Sequence, residues 1–133
     1  MEVITIEGIE PVAASRPRVD RRGIMYVPNK TTNFEKLIAS EYQKQSGAVL
    51  SGPVYCEILL GYEPPKSLSK RKTEALMGTP RGKKPDADNL AKSILDGLTK
   101  GGAWKDDGCV ATLIVRKKYT ENYRIEIRLK EMT

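Results

Sequence analysis

Lys83 to Leu98 reads KKPDADNLAKSILDGL. From Asp88 onward Leu90, Ile94, Leu95 and Leu98 recur at helical spacing, while Asp88, Lys92 and Asp96 fall on the other side. The spacing predicts an amphipathic helix over 88–98 with its apolar stripe turned to a core. Asp86 and Asp88, separated by one residue, stand at its start, directly after a run of positive charge. A carboxylate there caps free backbone N–H groups and meets the positive end of the helix dipole, but one is enough for that. The second acid calls for another reason.

Working outward, VITIEGI alternates apolar and polar residues and predicts a strand over 3–9. RPRVDRRGIMYVP reads as a loop entering a short strand over 24–27, with Arg16, Arg18, Arg21 and Arg22 as a basic cluster. Phe34, Leu37, Ile38 and Tyr42 predict a helix over 32–46, with a threonine-rich start suited to capping and Gly47 as its stop. PVYCEILLGYE reads as an internal strand closed by Pro64 and Pro65. KSLSKRKTEALMG then reads as a basic helix, and TPRGKK as a mobile stretch. After Gly101 and Gly102, CVATLIVRKKY and YRIEIRLKE read as two antiparallel strands joined by a turn at Thr120 to Asn122. The sum is one α+β domain over 1–133, its sheet mixed or mostly antiparallel, with helices packed on it.

Composition narrows the chemistry. The 39% apolar and 30% charged shares are those of a globular chain, and the longest apolar run, CEILLGY, is broken by Glu57, so no bilayer span is expected. MEVITIEGIE has acids where a signal peptide carries basic residues, which predicts no export and a cytoplasmic location. Cys56 and Cys109 lie far apart in alternating stretches and are expected as buried thiols rather than a disulfide or zinc site. The chain has no histidine, so catalysis would rest on carboxylates, lysine, hydroxyls or a hard metal ion.

Charge is unevenly spread. Pro64 to Lys84 carries seven basic residues and one acid, Glu74, a local net of +6 that equals the net charge of the whole chain. A basic segment in neutral surroundings reads as a footprint for a polyanion, nucleic acid first. A solvated basic loop accounts for this segment equally well.

A second acidic pair, Asp106 and Asp107, precedes a predicted strand. If the chain path returns it to Asp86 and Asp88, three or four carboxylates converge, repelling one another unless a cation or proton offsets them. Magnesium suits such a group, taking a few carboxylates, waters and a phosphate oxygen without histidine. Lys92 lies one turn after Asp88, either as a surface ion pair or as a cation for an attacked phosphate.

KPDADNLAKSILDGL followed by WKDD resembles the signature of RusA-like Holliday junction resolvases: Asp, any residue, Asp, Asn, a lysine three positions on, and a downstream aspartate pair. PVAASRPRV is similar to that family's Arg-Pro-Arg segment, and PPKSLSKRKTEAL to the basic helix before its signature; the AAS before Arg16 departs from the lysine and glycine often found there. The resemblance implies a magnesium-dependent endodeoxyribonuclease, with manganese as a substitute, working as a homodimer that cuts four-way DNA junctions symmetrically in recombination and repair. It implies Asp86, Asp88 and Asp107 as metal-binding catalytic acids and Lys92 as the catalytic lysine. Arg16, Arg18, Lys70, Arg71, Lys72 and Lys84 are the expected DNA-binding residues. Trp104 reads as a structural anchor or as a wedge at unstacked bases, and Asn89 as a residue orienting Asp88 or as ordinary first-turn solvation. A non-catalytic nucleic-acid-binding module, and a nuclease for flaps or forks, are the other readings of the same features.

Overall fold

Of the predicted stripe, Leu90, Ile94 and Leu98 are fully buried and Leu95 partly, on a helix slightly longer than expected, Ala87–Lys100. A computed structural model describes residues 1–132. In chain order its elements are β1 (Glu2–Glu7), β2 (Arg18–Val19), β3 (Met25–Tyr26), α1 (Asn29–Gln45), β4 (Val54–Tyr62), α2 (Lys70–Leu76), α3 (Ala87–Lys100), a 3₁₀ turn at Asp107–Cys109, β5 (Val110–Tyr119) and β6 (Arg124–Glu131). The architecture is α+β, with a mixed four-stranded sheet ordered β1-β6-β4-β5 and a separate ribbon of β2 and β3.

The sheet order corrects one expectation. β5 and β6 do not pair with each other: β4 lies between them, parallel to β5 and antiparallel to β6. Burial explains the placement, because Ile125, Ile127 and Leu129 of β6 are fully buried and suit an interior strand. The β5–β6 connection therefore crosses the end of β4 at Gly61, where an added Cβ would fall on the Thr120 side chain. The Thr120 N–H donates to the Tyr62 carbonyl at 2.9 Å and seals the crossing.

Both long helices cover one face of the sheet. Phe34, Ile38 and Tyr42 of α1 meet Leu90, Ile94 and Leu98 of α3 over a floor of Ile4, Ile58, Leu60, Ile125 and Ile127. Gly97 lets the helices touch, since a Cβ there would stand 2.6 Å from the Ile38 Cβ. The opposite face is polar, with Glu126 bridging Arg124 and Arg128.

Other expectations shift for local reasons. Helix α1 starts before its threonines: Pro28 holds the N-cap position without a side-chain bond, and the Thr31 hydroxyl bonds Ser15 at 2.9 Å. Gly47 ends it as expected, at φ 78° with its N–H on the Tyr42 carbonyl. Cys56 is fully buried, which pushes its thiol up to about 12, whereas Cys109 is only partly covered.

The TPRGKK stretch is not loose. Pro80 bridges to Lys118 on the outer edge of β5, the Arg81 N–H donates to the Lys117 carbonyl at 2.9 Å, and the Tyr119 N–H donates to Thr79 at 3.0 Å. An open sheet edge offers unpaired backbone groups, and this segment takes them up.

Candidate functional site

The segment that delivers Asp86 is clamped from two sides. Arg81 lies over the Tyr62 ring, 4.0 Å from its centroid, and its Nη1 donates to the carbonyls of Lys83 at 3.2 Å and Lys84 at 3.0 Å. Lys117 Nζ donates to the carbonyls of Lys83 at 2.7 Å and Pro85 at 2.8 Å. Two cations with five and three donors thus satisfy the carbonyls just before the helix. Arg81, counted in the sequence among cations for a polyanion, is in fact only partly exposed and engaged in this support.

Asp86 occupies the N-cap position of α3 but makes no side-chain cap bond, contrary to the capping role expected of one of the pair. Asp88, in the first turn, accepts from the adjacent Asn89 N–H at 2.9 Å. Both acids are exposed. Both stand at the positive end of the α3 dipole with their carboxylates open to solvent.

Lys92 pairs forward with Asp96 at 2.9 Å rather than back with Asp88. Its ammonium is held above the usual lysine range, first by the hydrogen bond to Asp96 and then by that carboxylate's charge, with Asp107 and Glu35 adding to the effect. Asp107 opens the 3₁₀ turn, whereas Asp106 is spent on capping it, its Oδ2 accepting from the Gly108 N–H at 3.1 Å. The two members of that pair therefore have different structural duties.

Asp86, Asp88 and Asp107 are not drawn into a ready-made cage. Among the described residues, no three His, Cys, Asp or Glu side chains stand close enough together to hold a metal ion. Mutual repulsion of carboxylates favours such a spread. By donor type the residues fit a hard divalent cation, offering carboxylate oxygens at a water-accessible helix start.

Beside Lys92 lies a cleft of about 630 Å³, bounded by Ser15, Arg16, Glu35, Asn89, Lys92 and Asp96 among others. The 12–16 loop forms one wall and is tied to α3: the Ala14 N–H donates to the Asn89 carbonyl at 2.9 Å and the Ser93 hydroxyl to Val12 at 2.6 Å. Asn89 thus supports the loop through its backbone, a duty outside either expectation. Glu35 was missed in the sequence: it is 7% exposed and accepts from Lys100 Nζ at 2.5 Å. Its signal was an acid within the helical series Thr31, Glu35, Ile38, Tyr42, all buried. Trp104 is an anchor, 3% exposed, with its indole N–H on the Thr99 hydroxyl at 2.7 Å.

The expected DNA-binding residues Arg16, Arg18, Lys70, Arg71, Lys72 and Lys84 are all exposed. Helix α2, which carries three of them, buries no residue at all and is capped by Ser69, accepting from the Lys72 N–H at 3.3 Å.

A family model described as endodeoxyribonuclease RusA matches residues 8–130, from just after β1 through nearly all of β6. The chain belongs to the RusA endodeoxyribonuclease family. It is 35% identical over 134 residues to an uncharacterized protein, YqaN, of Bacillus subtilis (strain 168), a similarity covering 93% of this chain and 92% of that one. A shorter similarity, 39% identical over 54 residues, relates it to the crossover junction endodeoxyribonuclease RusA of Escherichia coli (strain K12) and to that of Enterobacteria phage 82. It covers 40% of this chain and 45% of each of those two, so under half the length of the named RusA proteins is matched. The 3₁₀ turn that Asp107 opens packs against α3, and its charge reaches Lys92.

Proposed function

We propose that this RusA family member is a metal-dependent, structure-selective endodeoxyribonuclease that resolves four-way DNA junctions by paired, symmetric cuts. The observation that carries the reading is the pair Asp86 and Asp88, both exposed at the start of α3 and Asp86 without a side-chain capping bond, with Asp107 near enough to act on Lys92. Exposed acids in excess of what a helix start needs, beside a basic surface, are expected where a cation must be held against a phosphodiester. The family match and the junction-cleaving names of two relatives point the same way.

In this reading Asp86, Asp88 and Asp107 would hold magnesium, or manganese in its place. Such an ion would supply Lewis acidity at the scissile phosphate and a water of lowered pKa. Lys92, kept protonated by Asp96, offsets the negative charge that grows on the phosphate oxygens. Arg16, Arg18, Lys70, Arg71, Lys72 and Lys84 hold the backbone of the DNA arms, a sequence-independent and salt-sensitive contribution. Paired cuts on opposing strands call for two sites related by a two-fold axis, hence a homodimer. DNA as substrate places the work in the cytoplasm; among the described residues no helix is long and apolar enough to cross a membrane.

The test is cleavage of a synthetic four-way junction and a matched linear duplex, with magnesium or with chelator, by wild type and Asp88→Asn. Paired magnesium-dependent nicks at the junction, absent with the variant, are the expected result. Binding without cleavage in every condition would replace this reading with that of a non-catalytic module, and equal cleavage of flaps or forks would widen the substrate.

A further inference from the structure

The ribbon of β2 and β3 leaves the rim of the cleft, where Arg16, Pro17 and Val27 line the same space as Lys92. Its cross-strand partners are Arg18 with Tyr26 and Val19 with Met25. Directly opposed residues share a face of a two-stranded ribbon, so Val19 and Met25 lie on one side and Arg18 and Tyr26 on the other. Neither side is covered: Val19 is 62%, Met25 67% and Tyr26 46% exposed, and Ile24, in the connection between them, is 52% exposed. The turn itself is well made. Asp20 Oδ1 accepts from the N–H groups of Arg22 at 2.8 Å and Ile24 at 3.0 Å, and the Asp20 N–H donates to the Ile24 carbonyl at 3.0 Å.

A two-stranded ribbon with no buried face gains little from its own apolar side chains, so their exposure on both sides asks for a partner that meets both sides at once. We propose that this ribbon is a wedge that inserts between the arms of branched DNA and packs its apolar side chains against bases unstacked at the branch point. The assignment rests on the nuclease reading above and names the element that selects its substrate. Charge decides the partner. Arg16, Arg18, Arg21 and Arg22 flank the apolar residues and are exposed, and Asp20, the acid of this segment, is engaged in the turn and paired with Arg22 at 3.2 Å. Arginines in excess of the one acid, beside apolar and aromatic groups, suit bases flanked by phosphates, because apolar wedges unstack base steps while arginine binds the backbone. A second copy of the same ribbon would bring like charges together. The wedge role that Trp104 could have filled is closed to it by burial, and this ribbon offers the apolar surface instead.

The experiment compares full-length wild type, Val19→Ser/Met25→Ser and Arg18→Gln/Arg21→Gln on a four-way junction carrying 2-aminopurine at the branch point and on a matched linear duplex. Binding, fluorescence and magnesium-dependent cleavage are read for both DNAs. The serine variant is expected to keep duplex affinity, to lose the rise in 2-aminopurine fluorescence, and to bind the junction about tenfold more weakly. The glutamine variant is expected to weaken binding to both DNAs alike. An unchanged junction-to-duplex ratio with an unchanged fluorescence rise in the serine variant overturns the wedge while leaving the nuclease intact. Loss of a dimer in sedimentation with the same DNA preference assigns the ribbon to a contact between copies, and likewise overturns it. A wild type that shows no preference for branched DNA overturns the nuclease reading and the wedge together.

Discussion

The ammonium of Lys117 donates a hydrogen bond to the carbonyl of Pro85 at 2.8 Å, and Pro85 immediately precedes Asp86. Strand β5 thereby fixes where α3 begins, with Arg81 holding the preceding carbonyls from the other side. Replacing Lys117 with Met removes both of its carbonyl bonds. Loss of about 1–3 kcal/mol in urea unfolding is expected, with a drop of roughly tenfold or more in junction cleavage at saturating magnesium from misplaced acids. Unchanged cleavage in this variant would sever the link between the clamp and the acids.

Lys92 should act as a cation and never as a base. Its pKa lies above the usual 10.5, so the Asp96 ion pair is complete below that value and is lost only as pH rises through the raised folded value. Lys92→Met is expected to lower cleavage by about a hundredfold or more with junction affinity nearly unchanged. Lys92→Arg should restore part of the loss. A pH–rate profile that rises through the neutral range in wild type and is flat in Lys92→Met would contradict the assignment.

Glu126 makes the fold acid-sensitive. The hydrogen bond from Arg128, ahead of that from Arg124, holds its carboxyl below the ordinary 4.5. A depressed carboxyl contributes stability above about 4.5 that is lost as pH falls through the folded value. Urea unfolding at pH 6 and pH 3 should show a smaller acid-induced loss in Glu126→Gln than in wild type. An equal loss in both proteins would move the acid sensitivity elsewhere.

Helix contact depends on Gly97. A methyl group there would meet the Ile38 Cβ at 2.6 Å and the Glu35 carbonyl at 3.0 Å. Gly97→Ala is expected to cost about 1–3 kcal/mol by overpacking, despite alanine's better helix propensity. Chemical denaturation measures it, and a stabilised variant would show that the helices can part without penalty.

Much of this protein was legible in its one-dimensional pattern. The Leu90, Ile94, Leu98 series was enough to place α3 and its buried face, and the acids ahead of it were recognisable because a helix start needs only one carboxylate. Alternation revealed β1, β4, β5 and β6, and the signature around Asp86, Asp88 and Lys92 led to the family. These are local properties: the direction of a side chain from its own helix or strand follows from backbone geometry alone.

Only the tertiary structure decided the rest. Two strands joined by a short turn look like a hairpin in any sequence, yet β4 separates β5 from β6 because β6 is apolar enough to need an interior place and Gly61 allows the crossing. Lys92 had acids four residues away on both sides, and its choice of Asp96 depends on side-chain packing that spacing does not contain. Arg81 looked like a free surface charge until Tyr62 and two carbonyls claimed it, and Trp104 looked available until Thr99 and the core enclosed it. Strand order and charge pairing are settled by partners distant in sequence, whose competition is resolved only when the whole core closes.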